Sequence, residues 1–228
     1  MTSPATRKLR SIHLTGPAGR LEAIVNEGSP DAPFAALVSH PHPPSGGTMH
    51  NKVVYHAMKA INAPEWGLNW PVLRFNFRGT GLSEGIYDGR AEVEDVAAAL
   101  DWLINEYRRP IVAVGFSFGA DMTLAATCTR SANEIRAVAA LGLPLLTAHR
   151  TYDHPYLPHC TLPKLFLSGD RDRFAPPEKL AALVAGAPQP KRLIFVPGAD
   201  HFFTGGLHAM QRELSGWLHE FLPREAES

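Results

Sequence analysis

Apolar residues along this 228-residue chain come in two rhythms. Short dense runs at Leu21 to Val25, Phe34 to Ser39, Pro71 to Phe77, Ile111 to Val114, Ala137 to Leu143, Lys164 to Ser168 and Arg192 to Val196 have the length and the Val, Ile, Leu and Phe content of buried strands. Between them lie segments of helical period. Asn51 to Ile61 places Val54, Met58 and Ile61 on one face, and Glu92 to Tyr107 does the same with Val93, Val96, Ala97, Leu100, Ile104 and Tyr107. Ala120 to Ala126 and Glu178 to Val184 are shorter helices. Leu207 to Leu222 is a final one, with Met210, Leu214, Trp217, Leu218 and Phe221 in a stripe.

Repeated strand-then-helix order predicts an α/β fold: a mainly parallel sheet with helices on both faces. Leu21 to Ser39 breaks the order, because two strands follow each other there, so the sheet is expected to start antiparallel. Neither a repeat nor a linker interrupts the pattern. One domain over residues 1–228 is expected, with residues 1–8 and 224–228 as flexible ends.

Composition narrows the function classes. Hydrophobic residues make up 45% of the chain, enough for a substantial core. Lys and Arg total 22 and Asp and Glu total 22, with no basic stripe, so a nucleic-acid partner is not expected. No apolar run is long enough to cross a bilayer, and Met1 to Lys8 leads into no signal-type apolar segment. The expectation is a cytoplasmic protein without a membrane partner. Cys128 and Cys160 are too few for a disulfide framework. Cys128 reads as a small buried hydrophobe in a helix, and Cys160 as a more exposed loop residue.

The chemistry is concentrated at Gly115-Phe116-Ser117-Phe118-Gly119, placed where a buried strand turns into a helix. Glycines there let strand and helix crowd together and let the serine hold a strained backbone, as a nucleophile elbow requires. A serine hydroxyl needs a base, and the base needs an orienting group. Gly169-Asp170-Arg171-Asp172-Arg173-Phe174-Ala175-Pro176 follows one strand, and Gly198-Ala199-Asp200-His201-Phe202-Phe203 follows the last. The order Ser, Asp, His is that of α/β-hydrolases.

On these motifs the chain resembles the α/β-hydrolase superfamily over nearly its whole length. It is most similar to small lidless bacterial hydrolases of the predicted-esterase type, which are related to dienelactone hydrolases. The superfamily's Gly-x-x-Asp-x-x-x-Pro segment matches Gly169, Asp172 and Pro176, which implies Asp172 as the acid, with Asp170 as the main rival. The Gly-x-x-His-Phe-Phe ending matches His201. A segment that often begins with Asp in the family begins here with Asn76, a position outside the triad.

Acyl transfer also needs N–H donors for a tetrahedral oxyanion. One is expected from the backbone of Phe118, the residue after the nucleophile. The other is expected from His42: in His40-Pro41-His42-Pro43-Pro44-Ser45 the prolines carry no N–H. His40, His42 and His50 lack carboxylate or cysteine companions at ligand spacing, so no metal is expected, and no cofactor is implied. His40 reads as a structural histidine bonded to backbone, and Arg78 as an anchor for the turn Gly79-Thr80-Gly81.

Leu145 to Pro163, where the superfamily often inserts a lid, has room for a loop or one short helix. An open pocket for small or accessible acyl groups follows. Phe116, Phe174, Phe202 and Tyr152 are candidate substrate contacts, and His154 could touch substrate or lie on the loop surface. The expected function is a serine hydrolase acting on a carboxylic ester of a small-molecule substrate. Thioester or amide cleavage, acyl transfer, or ligand binding on a retired hydrolase scaffold remain alternatives that the triad does not separate.

Overall fold

The computed structural model describes residues 8–147 and 150–222. The two chain ends expected to be flexible lie almost wholly outside the described residues, as do Ala148 and His149. Among these residues eight strands form one sheet: β1 (Leu9–Gly16), β2 (Gly19–Asn26), β3 (Ala35–Ser39), β4 (Val72–Phe75), β5 (Ile111–Phe116), β6 (Ile135–Leu141), β7 (Lys164–Gly169) and β8 (Lys191–Val196). Their order across the sheet is β1-β2-β4-β3-β5-β6-β7-β8. β1 pairs with β2, and β2 with β4, in antiparallel sense; every later pairing is parallel. The expected antiparallel start is therefore present, with one strand more than the sequence pattern showed. β1 exposes or half-exposes all its residues except Leu14, so it lacks the apolar density that marks the inner strands.

Among the described residues five α-helices cover the sheet: α1 (Lys52–Asn62), α2 (Glu92–Tyr107), α3 (Phe118–Thr127), α4 (Pro177–Ala185) and α5 (Leu207–Phe221). Strand side chains alternate between faces, which divides the core into two layers. Ala36, Val38, Val112 and Val114 pack with α1 and α5. Ala35, Leu37, Ile111 and Ala113 pack with α2, α3 and α4. Asn51 starts α1 by accepting the N–H of Val53 on its side chain, at 2.9 Å.

Between β6 and β7 the described residues form no helical lid. The described part of the segment has an isolated bridge between Leu146 and Thr151 and one short 3₁₀ turn, Leu157–His159. Its wall against α3 departs from the expectation for the cysteines. Cys160 is fully buried, Cys128 is only half-buried, and the two form a disulfide across 32 positions. Only the fold brings the end of α3 beside this segment.

Candidate active site

The turn from β5 into α3 is built by close approach. A Cβ on Gly115 would stand 2.2 Å from the carbonyl oxygen of Gly119, and one on Gly119 would stand 2.4 Å from that of His40. Neither position accepts a side chain. Ser117 between them has φ 55° and ψ −122°, a conformation that L-residues rarely adopt. Its N–H donates to the carbonyl of Leu141 at 2.9 Å, and its own carbonyl accepts from Ala120 at 2.8 Å. The strain is thus held by the neighbouring strand and by the first turn of α3.

The loops after β7 and β8 bring the acid and the base to this serine. His201 Nε2 lies 2.9 Å from Ser117 Oγ, and His201 Nδ1 lies 2.8 Å from Asp172 Oδ2. With its proton on Nδ1, His201 donates to Asp172 and presents Nε2 as an acceptor to the serine hydroxyl. Asp172 is buried. Its Oδ2 also accepts from Ser168 Oγ at 3.0 Å, and its Oδ1 accepts the N–H groups of Phe174 at 2.8 Å and Ala175 at 3.2 Å. Burial pushes its carboxyl upward, but the bonds from His201, Phe174 and Ser168 outweigh this and hold it below the usual carboxylate range. The rival acids face elsewhere. Asp170 accepts the N–H of Gly198, and Asp200 accepts those of Phe202 and Thr204.

His42 lies on the facing wall and caps the short turn Pro43–Ser45. Its carbonyl takes the N–H groups of Ser45 and Gly47. The first N–H groups of a helix have no acceptor within it, and that of Phe118 is the first of α3. His40 is fully buried, and both its nitrogens meet backbone: Nδ1–H donates to Pro41 O at 2.7 Å, and Nε2 accepts from Phe77 N–H at 3.0 Å. Burial lowers its pKa to about 4, so the ring is neutral. Arg78 does anchor the next turn, through Nε and Nη2 to the buried Asp95. Asn76 supports the same region, accepting the N–H of Met49 and donating to Glu22.

Around Ser117 and His201 opens a cavity of about 1130 Å³. Phe174, Phe202 and Tyr152 line it. Phe116 does not. It is fully buried beneath the ring of His201, at 5.2 Å between centroids, because alternation along the strand sends it into the core when Ser117 faces the site. Phe174 packs on the other side of His201 at 4.6 Å. His154 is also not a surface loop residue. It is buried, with Nδ1 at 3.0 Å from Asp121 and Nε2 at 3.0 Å from Pro144 O. The sequence offered no signal for this pair, whose members stand 33 positions apart.

A family model described as an alpha/beta hydrolase domain matches residues 45–209. The chain belongs to the α/β-hydrolase family. This hydrolase is 37% identical over 216 residues to an uncharacterized protein of Rickettsia prowazekii, spanning 91% of this chain and 87% of that one. A Xanthomonas campestris structure described as an α/β serine hydrolase without lid matches with TM-score 0.83 and 29% identity, over 99% of this chain and 100% of the other. A serine hydrolase homologue from Coxiella burnetii matches with TM-score 0.82 and 31% identity, over 95% and 100%. Est1E of Butyrivibrio proteoclasticus, seen with ferulic acid, shares the fold at 15% identity and TM-score 0.80, over 93% of this chain and 100% of that one.

Proposed function

We propose that this hydrolase is a serine carboxylesterase for small or accessible acyl substrates. The observation that carries the reading is the unbroken hydrogen-bonded chain from Ser117 Oγ through His201 to Asp172. Ser117 Oγ attacks the ester carbonyl carbon while His201 Nε2 takes its proton, and Asp172 holds the ring and steadies the imidazolium. The N–H groups of His42 and Phe118 receive the oxyanion. Collapse expels the alcohol, which takes the proton from His201, and leaves an acyl-serine. Water, deprotonated by the same nitrogen, then releases the acid and restores the serine.

The lidless cavity favours accessible substrates over long buried lipids, with Phe174, Phe202 and Tyr152 as apolar contacts. Esterase relatives in fold, including Est1E and an esterase of Pyrococcus furiosus, support the ester assignment by analogy. No helix among the described residues is long and apolar enough to cross a membrane. The Cys128–Cys160 bridge belongs with oxidising compartments, against the cytoplasmic expectation.

The test is a comparison of kcat/KM on an acetyl ester, the matching thioester and the matching anilide. The ester is expected to lead both. A thioester or anilide faster than the ester would overturn the carboxylesterase reading, and no turnover of any of them would favour a binding role.

A further inference from the structure

The two N–H groups assigned to the oxyanion belong to residues far apart in the chain, and one side chain meets the side-chain rings of both residues. Tyr87 lies on the segment between β4 and α2. Its hydroxyl is 2.8 Å from His42 Nε2, and its ring meets that of His42 edge-on at 5.3 Å and that of Phe118 at 5.8 Å. The rings of His42 and Phe118 are themselves 5.7 Å apart. The other nitrogen of His42, Nδ1, is 2.9 Å from Ser45 Oγ, so each ring nitrogen has a hydroxyl partner and either neutral tautomer is satisfied. Burial and the nearby Arg150 lower the His42 pKa, which keeps the ring neutral. Burial, with the Glu92 charge next, pushes the Tyr87 hydroxyl up to about 12, which keeps its proton in place. Pro41 and Pro43 restrict the backbone on either side of His42, so a ring held at both nitrogens leaves its N–H little freedom.

The geometry points to Tyr87 as a positioning residue for oxyanion stabilisation: it clamps the ring of His42 by hydrogen bond and the ring of Phe118 by packing, and so fixes the two backbone donors relative to each other. This inference rests on the serine-esterase reading above. It predicts an effect confined to the transition state, because the oxyanion forms only there.

The test is a double-mutant cycle on a p-nitrophenyl ester, with the rate of fluorophosphonate labelling of Ser117 read beside it. Tyr87→Phe keeps the ring and loses the hydroxyl. It is expected to lower kcat about tenfold or more with KM within about twofold, and to slow labelling by a similar factor. His42→Ala keeps the backbone N–H and loses the clamp, with the same expected fall. The double variant should be no worse than the more impaired single one, since both act through one group. A Tyr87→Phe protein within twofold of the parent in kcat, or losses that multiply in the double variant, would overturn the inference alone. A parent protein that neither labels nor turns over would overturn the esterase reading, and this inference with it.

Discussion

Among the described residues two buried His–Asp pairs have nearly the same length, and their second nitrogens face different groups. In the pair below the cavity mouth, His201 Nδ1 is 2.8 Å from Asp172 and Nε2 is 2.9 Å from Ser117 Oγ. In the pair at the cavity wall, His154 Nδ1 is 3.0 Å from Asp121 and Nε2 is 3.0 Å from the carbonyl of Pro144. The contrast lies in the second nitrogen. A serine hydroxyl has a proton to give, so a histidine facing it can act as a base. A carbonyl has none, so a histidine facing it finds no proton to take there. Tyr156 adds its hydroxyl to Asp121, and Arg150 stands 3.7 Å from the same carboxylate. The second pair is a latch that ties the short segment between β6 and β7 to the first turn of α3. A His–Asp contact therefore indicates catalysis only when the far nitrogen meets a group that can react.

Removing each histidine in turn should separate the two pairs most widely. His201→Ala should lower kcat by about 10⁴-fold or more, while His154→Ala should cost kcat only a few-fold, both read by steady-state ester hydrolysis. If the two losses were equal, the distinction would fail. Stability should show the reverse emphasis for the latch. His154→Ala removes one partner of a buried carboxylate that keeps Tyr156 and Arg150, and should lower unfolding free energy by about 1–3 kcal/mol in urea titration. The Cys128–Cys160 bridge anchors the same segment to the far end of α3. Its reduction should cost roughly 2–4 kcal/mol by the same titration, and most of the loosening should appear in hydrogen exchange of the segment between β6 and β7.

His40 sharpens the comparison from the other side, since it has no carboxylate and both its nitrogens meet backbone. Its folded pKa is depressed from 6.5 to about 4 by burial, so the folded state favours the neutral ring. Its contribution to stability is full above pH 6.5 and is lost as pH falls toward 4, because only the unfolded chain takes up a proton in that window. The loss should reach at most about 3 kcal/mol, and His40→Gln should flatten the slope. Asp172 adds to the acid-side loss at lower pH, because its carboxylate is held below the usual range and its contribution fades as pH falls through that depressed value.

What could be read from the chain was local or ordered. The elbow shows in the sequence because strand, Gly-x-Ser-x-Gly and helix are contiguous from Ile111 to Ala126. Asp172 and His201 show because each follows a buried strand and stands in the family's order. His42 keeps an N–H between prolines that have none, which is why the sequence offers it as a donor. The rest depended on tertiary contacts. β1 is a polar edge with little apolar signal. The His154–Asp121 pair and the disulfide join residues more than thirty positions apart. Phe116 shares its motif with Ser117, yet strand alternation turns it into the core. Tyr87 lies in an irregular segment whose sequence gives no hint that it faces both His42 and Phe118.

On the proposed mechanism Ser117 is a nucleophile activated by His201. The most direct test is to react the purified protein with a fluorophosphonate and map the modified residue by mass spectrometry, with Ser117→Ala alongside. The account predicts a single adduct on Ser117 that is absent from the variant. Folded parent protein that remains unmodified, or an adduct that persists in Ser117→Ala, would contradict it.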